Sequence, residues 1–378
     1  MTGLDTGMSK TSDVIVVGAG AIGCAIAERL SREGLFVTLI DRAHPGTEAS
    51  WAAAGMLAPL AEAAHSTPPQ LERLLETSHS LYREFIGEIE ERSGLKIGFQ
   101  GGGSLAVALD YQETKLLAGL LERMLANGKA VEELSFKQLR ERHPALSEKV
   151  QSALFFPQDT FVNSRELVKA LVTAAQNNGA CLISNTAVVG LTVEGQNVTG
   201  VETVHGPIPG GKTIIAAGSW SGHLDRRLNL TIRPVRGQIV QLQSNTRCVS
   251  SLIHSSGCYI VPWPDGRTLV GSTLENVGFN KQTTAAAAQS LLAAAIALVP
   301  KLSTAAVTDV WAGLRPDTRD NLPIIGNSSL GNLILATGHF RNGILLTPIT
   351  ARLISELILS GAPSISLEPF RFDRFETE

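Results

Sequence analysis

The chain's first clear pattern is a short apolar run, Asp13 to Val17, in which β-branched residues dominate. Such a run predicts a strand. A glycine cluster follows at once, Gly18-Ala19-Gly20-Ala21-Ile22-Gly23. Cys24 to Arg32 then places Ala25, Ile26, Ala27 and Leu30 on one side of a helix that ends before Gly34. Phe36 to Ile40 is a second apolar strand, closed by Asp41. Strand, glycine turn, helix and strand within about 30 residues make one βαβ unit.

Helical periodicity dominates the next stretch. Leu71 to Arg92 and Gln112 to Leu125 predict helices, the second with Leu116, Leu117, Leu120, Leu121 and Leu125 on one face. Between them Gly101 to Gly103 form a turn into a strand ending at Leu109. Phe136 to Arg142 is a short helix stopped before Pro144. Asn163-Ser164-Arg165-Glu166 has capping-box spacing and opens a helix to about Asn177, which Gly179 ends. Leu182–Ile183, Val188 to Val193 and Lys212 to Ala217 predict strands.

From Thr231 the pattern changes to short strands separated by turns: Arg236 to Gln243, Cys258 to Val261, Arg267 to Gly271 and Thr308 to Ala312. One helix, Thr283 to Val299, interrupts them. Leu333 to Ala336 then predicts a strand, Gly338 to Gly343 a turn, and Ile344 to Leu359 a helix. The expected fold class is α/β plus α+β. A Rossmann-like nucleotide-binding domain (12–85, 148–225 and 313–365) carries an inserted substrate domain (86–147 and 226–312) on a mainly antiparallel sheet. Residues 1–11 read as a loose leader, with Met8 a candidate start, and 366–378 as a tail.

Composition narrows the function. Two or more domains suit 378 residues. A net charge of −3 offers no basic field for nucleic acid. The four cysteines form no C-x-x-C pair and no disulfide framework, so a cytoplasmic setting is expected. The most apolar stretch, Ala285 to Val299, is too short for an integral membrane segment. The 36 glycines exceed the usual share of about 7%. They signal tight turns or backbone lying close to a ligand.

Gly18-x-Gly20-x-x-Gly23 sits between a strand and a helix, the context that gives this motif meaning. Gly18 permits the turn, Gly20 lets backbone approach a pyrophosphate, and Gly23 allows close helix–strand packing. The helix N-terminus favours negative charge. Asp41, at the end of the second strand, suits a ribose hydroxyl pair. A methyltransferase with a related glycine loop is the competing reading, and NAD and FAD are not separated by the loop itself. The small residues from Ala49 to Gly55, ahead of Met56, suit chain lying against a large planar ring.

At this point the chain resembles the D-amino-acid-oxidase-like flavoproteins, and among them most closely the glycine oxidases of thiamine biosynthesis. Besides the glycine loop with Asp41-Arg42 and the Ser50–Met56 run, the resemblance is carried by Arg236-Gly237-Gln238, Tyr259-Ile260-Val261-Pro262, residues Trp311 to Pro316, and Gly338 to Leu346. It covers about Asp13 to Phe370. The resemblance implies non-covalent FAD. Ala21 and Ile22 would sit on the pyrophosphate turn, with Asp41 and Arg42 on the ribose side. Ala49, Ser50, Ala54, Gly55 and Met56 would lie along the flavin. Val188 would hold the adenine by its backbone, and Gly218 would pass close to the cofactor. His339, Phe340, Arg341, Asn342, Gly343, Ile344 and Leu345 would wrap the ring. It also implies a small amino acid and O2 as substrates, hydrogen peroxide as product, and a homo-oligomer.

Amine oxidation on a flavin asks mainly for orientation and electrostatics. An arginine fork suits the substrate carboxylate. Arg315, between a strand and Pro316, is the candidate, with an ion pair to Asp317 or Asp320 as the bland alternative. Tyr259 would add a hydrogen bond to the carboxylate, against the alternative of a half-buried sheet tyrosine. Arg341 would support carboxylate or cofactor, and His339 is expected to pack rather than act as a base. Leu274 and Gly257 depart from the family pattern near the substrate. A sarcosine or D-amino acid oxidase, or a related dehydrogenase, therefore stays in view beside glycine oxidation.

Overall fold

The computed structural model of the protein describes residues 11–59 and 67–375. The expected leader, up to residue 10, lies outside them. Two large sheets and one small one organise the described residues.

In the first sheet Ser12–Val17 and Val37–Ile40 run parallel, joined by the helix Ala21–Arg32. Cys181–Ile183 adds in parallel beyond Val37–Ile40. On the other side of Ser12–Val17 lie Gly206–Ile215 and then Leu333–Thr337, both parallel. Strand order thus reverses between Ser12–Val17 and Gly206–Ile215, the switch point where open α/β sheets bind ligands. Alternation splits the strand between two cores. Val14 and Val16 pack under the helices Ala21–Arg32, Pro69–Ser93, Ser164–Asn177 and Thr347–Leu359, while Ile15 and Val17 face the opposite cluster. Ile324–Asn327 pairs antiparallel at the edge.

The second sheet has eight strands in the order Ala306–Asp317, Arg233–Gln243, Arg267–Gly271, Tyr259–Pro262, Leu252–His254, Ser104–Ala108, Ser152–Phe156, Glu132–Leu134. Each pairing is antiparallel except that of Leu252–His254 with Ser104–Ala108. One face carries the helix Ala285–Leu298 through Leu291, Ala295 and Leu298. The other face packs on the helix Tyr111–Ala126 through Leu117, Leu120 and Met124, and on Ala52, Ala54 and Ala58. The mixed fold with an antiparallel second sheet is the class expected from the pattern.

Several elements differ from expectation. The last helix begins at Thr347 rather than Ile344, with Pro348 in its first turn; Gly343 to Leu346 form a turn instead. Asn163 caps its helix through Arg165 and Glu166 amides, but the Glu166 carboxylate bonds the Gly98 amide at 2.7 Å, so the reciprocal half of the box is absent. Ser152–Phe156 belongs to the second sheet, beyond the boundary drawn at 148. Ala306–Asp317 crosses 312–313 as one uninterrupted strand.

Candidate active site

One cavity of about 1450 Å3 borders all of the expected positions except Gly23. Gly23 lies instead where the helix meets the turn: a side chain there would strike the Gly18 carbonyl. Gly18 itself adopts φ +106°, with the Ala216 carbonyl filling the space beside it. Gly20 is different. A Cβ there would meet only Ser50 Oγ, at 3.2 Å, so the protein's own packing does not demand glycine. Ser50 Oγ accepts a hydrogen bond from the Ala21 amide at 2.9 Å, at the first turn of the helix.

Asp41 stands at the end of the second strand. Its carboxylate accepts from the amides of Ala19 at 2.7 Å and Ala43 at 2.9 Å, which ties the glycine turn to the next strand. Burial pushes its pKa up; the two amide bonds and Arg42 oppose this in part. A carboxylate offers about four acceptor sites, so two amides leave capacity for hydroxyl donors. The Thr186 amide bonds the Asp41 carbonyl at 2.9 Å, which brings Val188 to the same wall. Arg42 stacks 3.6 Å over Trp220 and pairs with Glu48, whose other oxygen meets Lys281 at 2.8 Å. No local sequence pattern marks Trp220 or Glu48.

Ala49–Ala52 forms a short helix against the second sheet. Gly313 leaves the space that Ala52 fills. Trp311 Nε1 donates to the Ala52 carbonyl at 3.1 Å, and Arg165 Nε donates to the Trp51 carbonyl at 3.1 Å. Trp51 and Trp311 meet edge to face at 5.6 Å. Gly55, at φ +80°, is required by the protein itself, because the Val162 carbonyl occupies the place of a side chain.

The segment from His339 to Leu345 forms the opposite wall. His339 is buried, its Nε2 3.1 Å from Thr350 Oγ1, and burial pushes its pKa down to about 3. It is therefore a neutral packing group rather than a base at neutral pH. Ser78 and Tyr82, both from Pro69–Ser93, donate to the carbonyls of Leu345 and Ile344. In a planar trans peptide the C=O and N–H point opposite ways. The Leu345 N–H therefore faces away from that helix. Phe340 holds φ +46°, and Arg341 is exposed at the cavity.

Arg315 and Tyr259 share one face of the second sheet. Residues two apart on a strand share a face, so Trp311, Gly313 and Arg315 lie together. Their partners across the ladder are Ile239, Gly237 and Val235. Gly237 leaves the room in which the Arg315 guanidinium lies, and Gly271 does the same for the Tyr259 ring. Strand glycines often mark such close approaches. Arg315 Nη2 donates to Ser272 Oγ at 2.6 Å and Nη1 to the Thr273 carbonyl at 3.2 Å. Asp317 pairs instead with Arg233, and Asp320 with Arg374, both at 2.8–2.9 Å. His254 stands opposite Tyr259 in the register and also borders the cavity. Leu274 and Gly257 lie on its exposed rim, Leu274 at 70% exposure.

Among the described residues no three His, Cys, Asp or Glu side chains converge as a metal site, and no helix is long and apolar enough to cross a membrane. A profile of the family "DAO: FAD dependent oxidoreductase" matches residues 13–357. The chain is 36% identical to the bifunctional protein ThiO/ThiG of Trichormus variabilis over 97% of its own length and 56% of that protein's, so it spans about half of such relatives. It is 32% identical to the glycine oxidase of Geobacillus kaustophilus, covering 97% of this chain and 98% of that one. The crystal structure of glycine oxidase from Geobacillus kaustophilus superposes with TM-score 0.92 over 97% of this chain and 99% of the other. That of glycine oxidase from Bacillus cereus gives 0.89 at 31% identity, over 93% and 96%.

Proposed function

Because the chain belongs to the DAO family of FAD-dependent oxidoreductases, we propose that it oxidises glycine or another small amino acid to the imine. Water then converts the imine to oxo acid and ammonia, and O2 leaves as hydrogen peroxide. The observation that carries this reading is the shared cavity: Arg315 and Tyr259 open onto the same space as the glycine turn and Asp41.

The residues present fit FAD. The cavity exceeds the 300–1,000 Å3 or so of ordinary ligand clefts. Gly20 keeps open a place that the protein's own atoms do not fill. Bound FAD would supply the two-electron acceptor that O2 regenerates. Gly18, Gly20, Ala21 and Ile22 would receive the pyrophosphate at the helix N-terminus. Asp41 and Arg42 would take the ribose, and Val188 the adenine. Ala49, Ser50, Ala54, Gly55, Met56 and Gly218 would line one side of the ring, and His339 to Leu345 the other. The Leu345 N–H would serve a ring oxygen.

Arg315 would orient the substrate carboxylate, with Tyr259 donating a second bond and Arg341 supporting from the rim. Neutral His339 takes no proton. The nucleotide domain would comprise 12–85, 148–225 and 313–365, and the substrate domain 86–147 and 226–312, with Ser152–Phe156 going with the latter by its pairing. The similarity to ThiO/ThiG is in keeping with a place in thiamine thiazole formation; the same reading takes the protein to be a cytoplasmic homo-oligomer, as the family resemblance implies.

The test is direct. The purified protein is expected to be yellow and to release FAD on heating. Peroxide release is then measured with glycine, sarcosine and D-amino acids. A colourless protein that FAD does not reconstitute, or no peroxide from any of these, overturns the proposal.

A further inference from the structure

We propose that Ser272 is a positioning residue for substrate binding: its hydroxyl, with the Thr273 carbonyl, sets the plane of the Arg315 guanidinium that receives the carboxylate. The inference rests on the amino acid oxidase reading and extends it to a residue outside the recognised motifs.

Ser272 Oγ accepts from Arg315 Nη2 at 2.6 Å, and the Thr273 carbonyl accepts from Nη1 at 3.2 Å. The two terminal nitrogens of a rigid planar fork are thereby engaged by one dipeptide. Two contacts on one plane fix its rotation, and Gly237 removes the Cβ that would otherwise lie beneath it.

The dipeptide is itself held. Thr273 Oγ1 accepts from the Gln238 amide at 2.9 Å and donates to Glu275. Gln238, fully buried, donates Nε2 to Glu275 Oε1 at 2.7 Å and accepts from the Thr284 amide at 2.8 Å. Buried Arg236 pairs with the same Glu275 carboxylate, donates Nη1 to the Gln282 carbonyl at 2.7 Å, and exchanges two backbone bonds with Glu275. Burial works against the charge on Glu275, but the bonds from Arg236, Thr273 and Gln238 outweigh it and hold its pKa below the ordinary value. Only Arg236 Nε in this group lacks a hydrogen-bond partner, and buried polar groups bonded to one another in this way hold each other in place. Ser272 is thus presented to Arg315 by a fixed frame rather than by a loose loop.

The experiment uses the FAD-loaded enzyme and acetate, a carboxylate without an amine, whose binding is read from the change in flavin absorbance. Arg315→Ala is the control. Ser272→Ala is expected to raise the acetate Kd and the glycine KM by about tenfold, the effect of one hydrogen bond to a charged group, with a smaller change in kcat and full FAD content. Ser272→Cys, whose thiol is a weak acceptor, should do the same. In the Arg315→Ala background Ser272→Ala should add nothing, since its effect runs through that guanidinium. If Arg315→Ala weakens acetate binding but Ser272→Ala and Ser272→Cys do not, or if the two losses add, the positioning role is wrong. If Arg315→Ala itself leaves acetate binding and KM unchanged, the carboxylate reading of Arg315 fails, and the positioning role with it.

Discussion

Gly237→Ala tests the site's architecture with a single methyl group. Gly237 sits on the second strand of the second sheet, opposite Gly313 and two register positions from the Val235–Arg315 pair. A Cβ built at Gly237 would lie closer than 2.5 Å to Nη1, Nη2 and Cζ of Arg315. Ordinary contact between such atoms is about 3.5 Å, so the guanidinium would have to move by at least about 1 Å. A shift of that size breaks the 2.6 Å bond to Ser272 and tilts the fork away from its carboxylate. Misplacement by about 1 Å can cost about 10²-fold in rate, and we expect that loss in kcat/KM for glycine. Stability should not fall in step. Gly237 has no left-handed φ, and replacing glycine by alanine in an ordinary extended conformation lowers the entropy of the unfolded chain, worth ~0.5–1 kcal/mol. The assay is peroxide release against glycine concentration, with FAD content and Tm measured on the same preparation. A variant with kcat/KM within twofold of the parent would refute the stated placement of Arg315. A variant that loses FAD or Tm in proportion to activity would show that the glycine serves folding instead.

Three further outcomes follow from the same geometry. Gly20→Ala, whose methyl would meet only the movable Ser50 hydroxyl, should fold normally yet bind FAD about tenfold or more weakly, ~1.4 kcal/mol; unchanged FAD affinity by titration would remove the pyrophosphate from this turn. Tyr82→Phe removes one of two donors to the Ile344 carbonyl and leaves the Thr347 amide at 3.1 Å, at a cost of about 0.5–1.5 kcal/mol; both Tm and FAD affinity should fall, and a loss of Tm alone would limit that bond to the fold. His339 is pushed by burial to about 3, against about 6.5 when unfolded. Between those values the unfolded chain binds the extra proton, so this residue's stability contribution is complete above pH ~6.5 and is lost as pH falls toward ~3. His339→Gln should flatten the acid side of the Tm–pH curve, and a curve merely displaced in parallel would contradict this.

What the sequence reveals about this site depends on the range of the interaction. The βαβ unit is legible because strand, turn and helix are contiguous, and each residue's role is set by neighbours within about 30 positions. The last helix starts three residues later than its apolar pattern predicts, although Pro348 marks the first turn locally. Ser272, Glu48 and Trp220 are legible only in three dimensions, since their partners Arg315, Lys281 and Arg42 are brought near by sheet pairing and domain contact. The same limit applies to the glycines. At Gly18, Gly23, Gly55, Gly237, Gly271 and Gly313 the space of a missing side chain is taken by the protein's own atoms. At Gly20 a Cβ would touch only a serine hydroxyl; at Gly218 it would meet nothing within 4 Å, but there a left-handed φ of +52° favours glycine. A sequence presents both kinds as the same letter. Gly20 meets only that movable hydroxyl and lies at a helix N-terminus, which is why we propose that a ligand favours glycine there; an anionic one fits the local field.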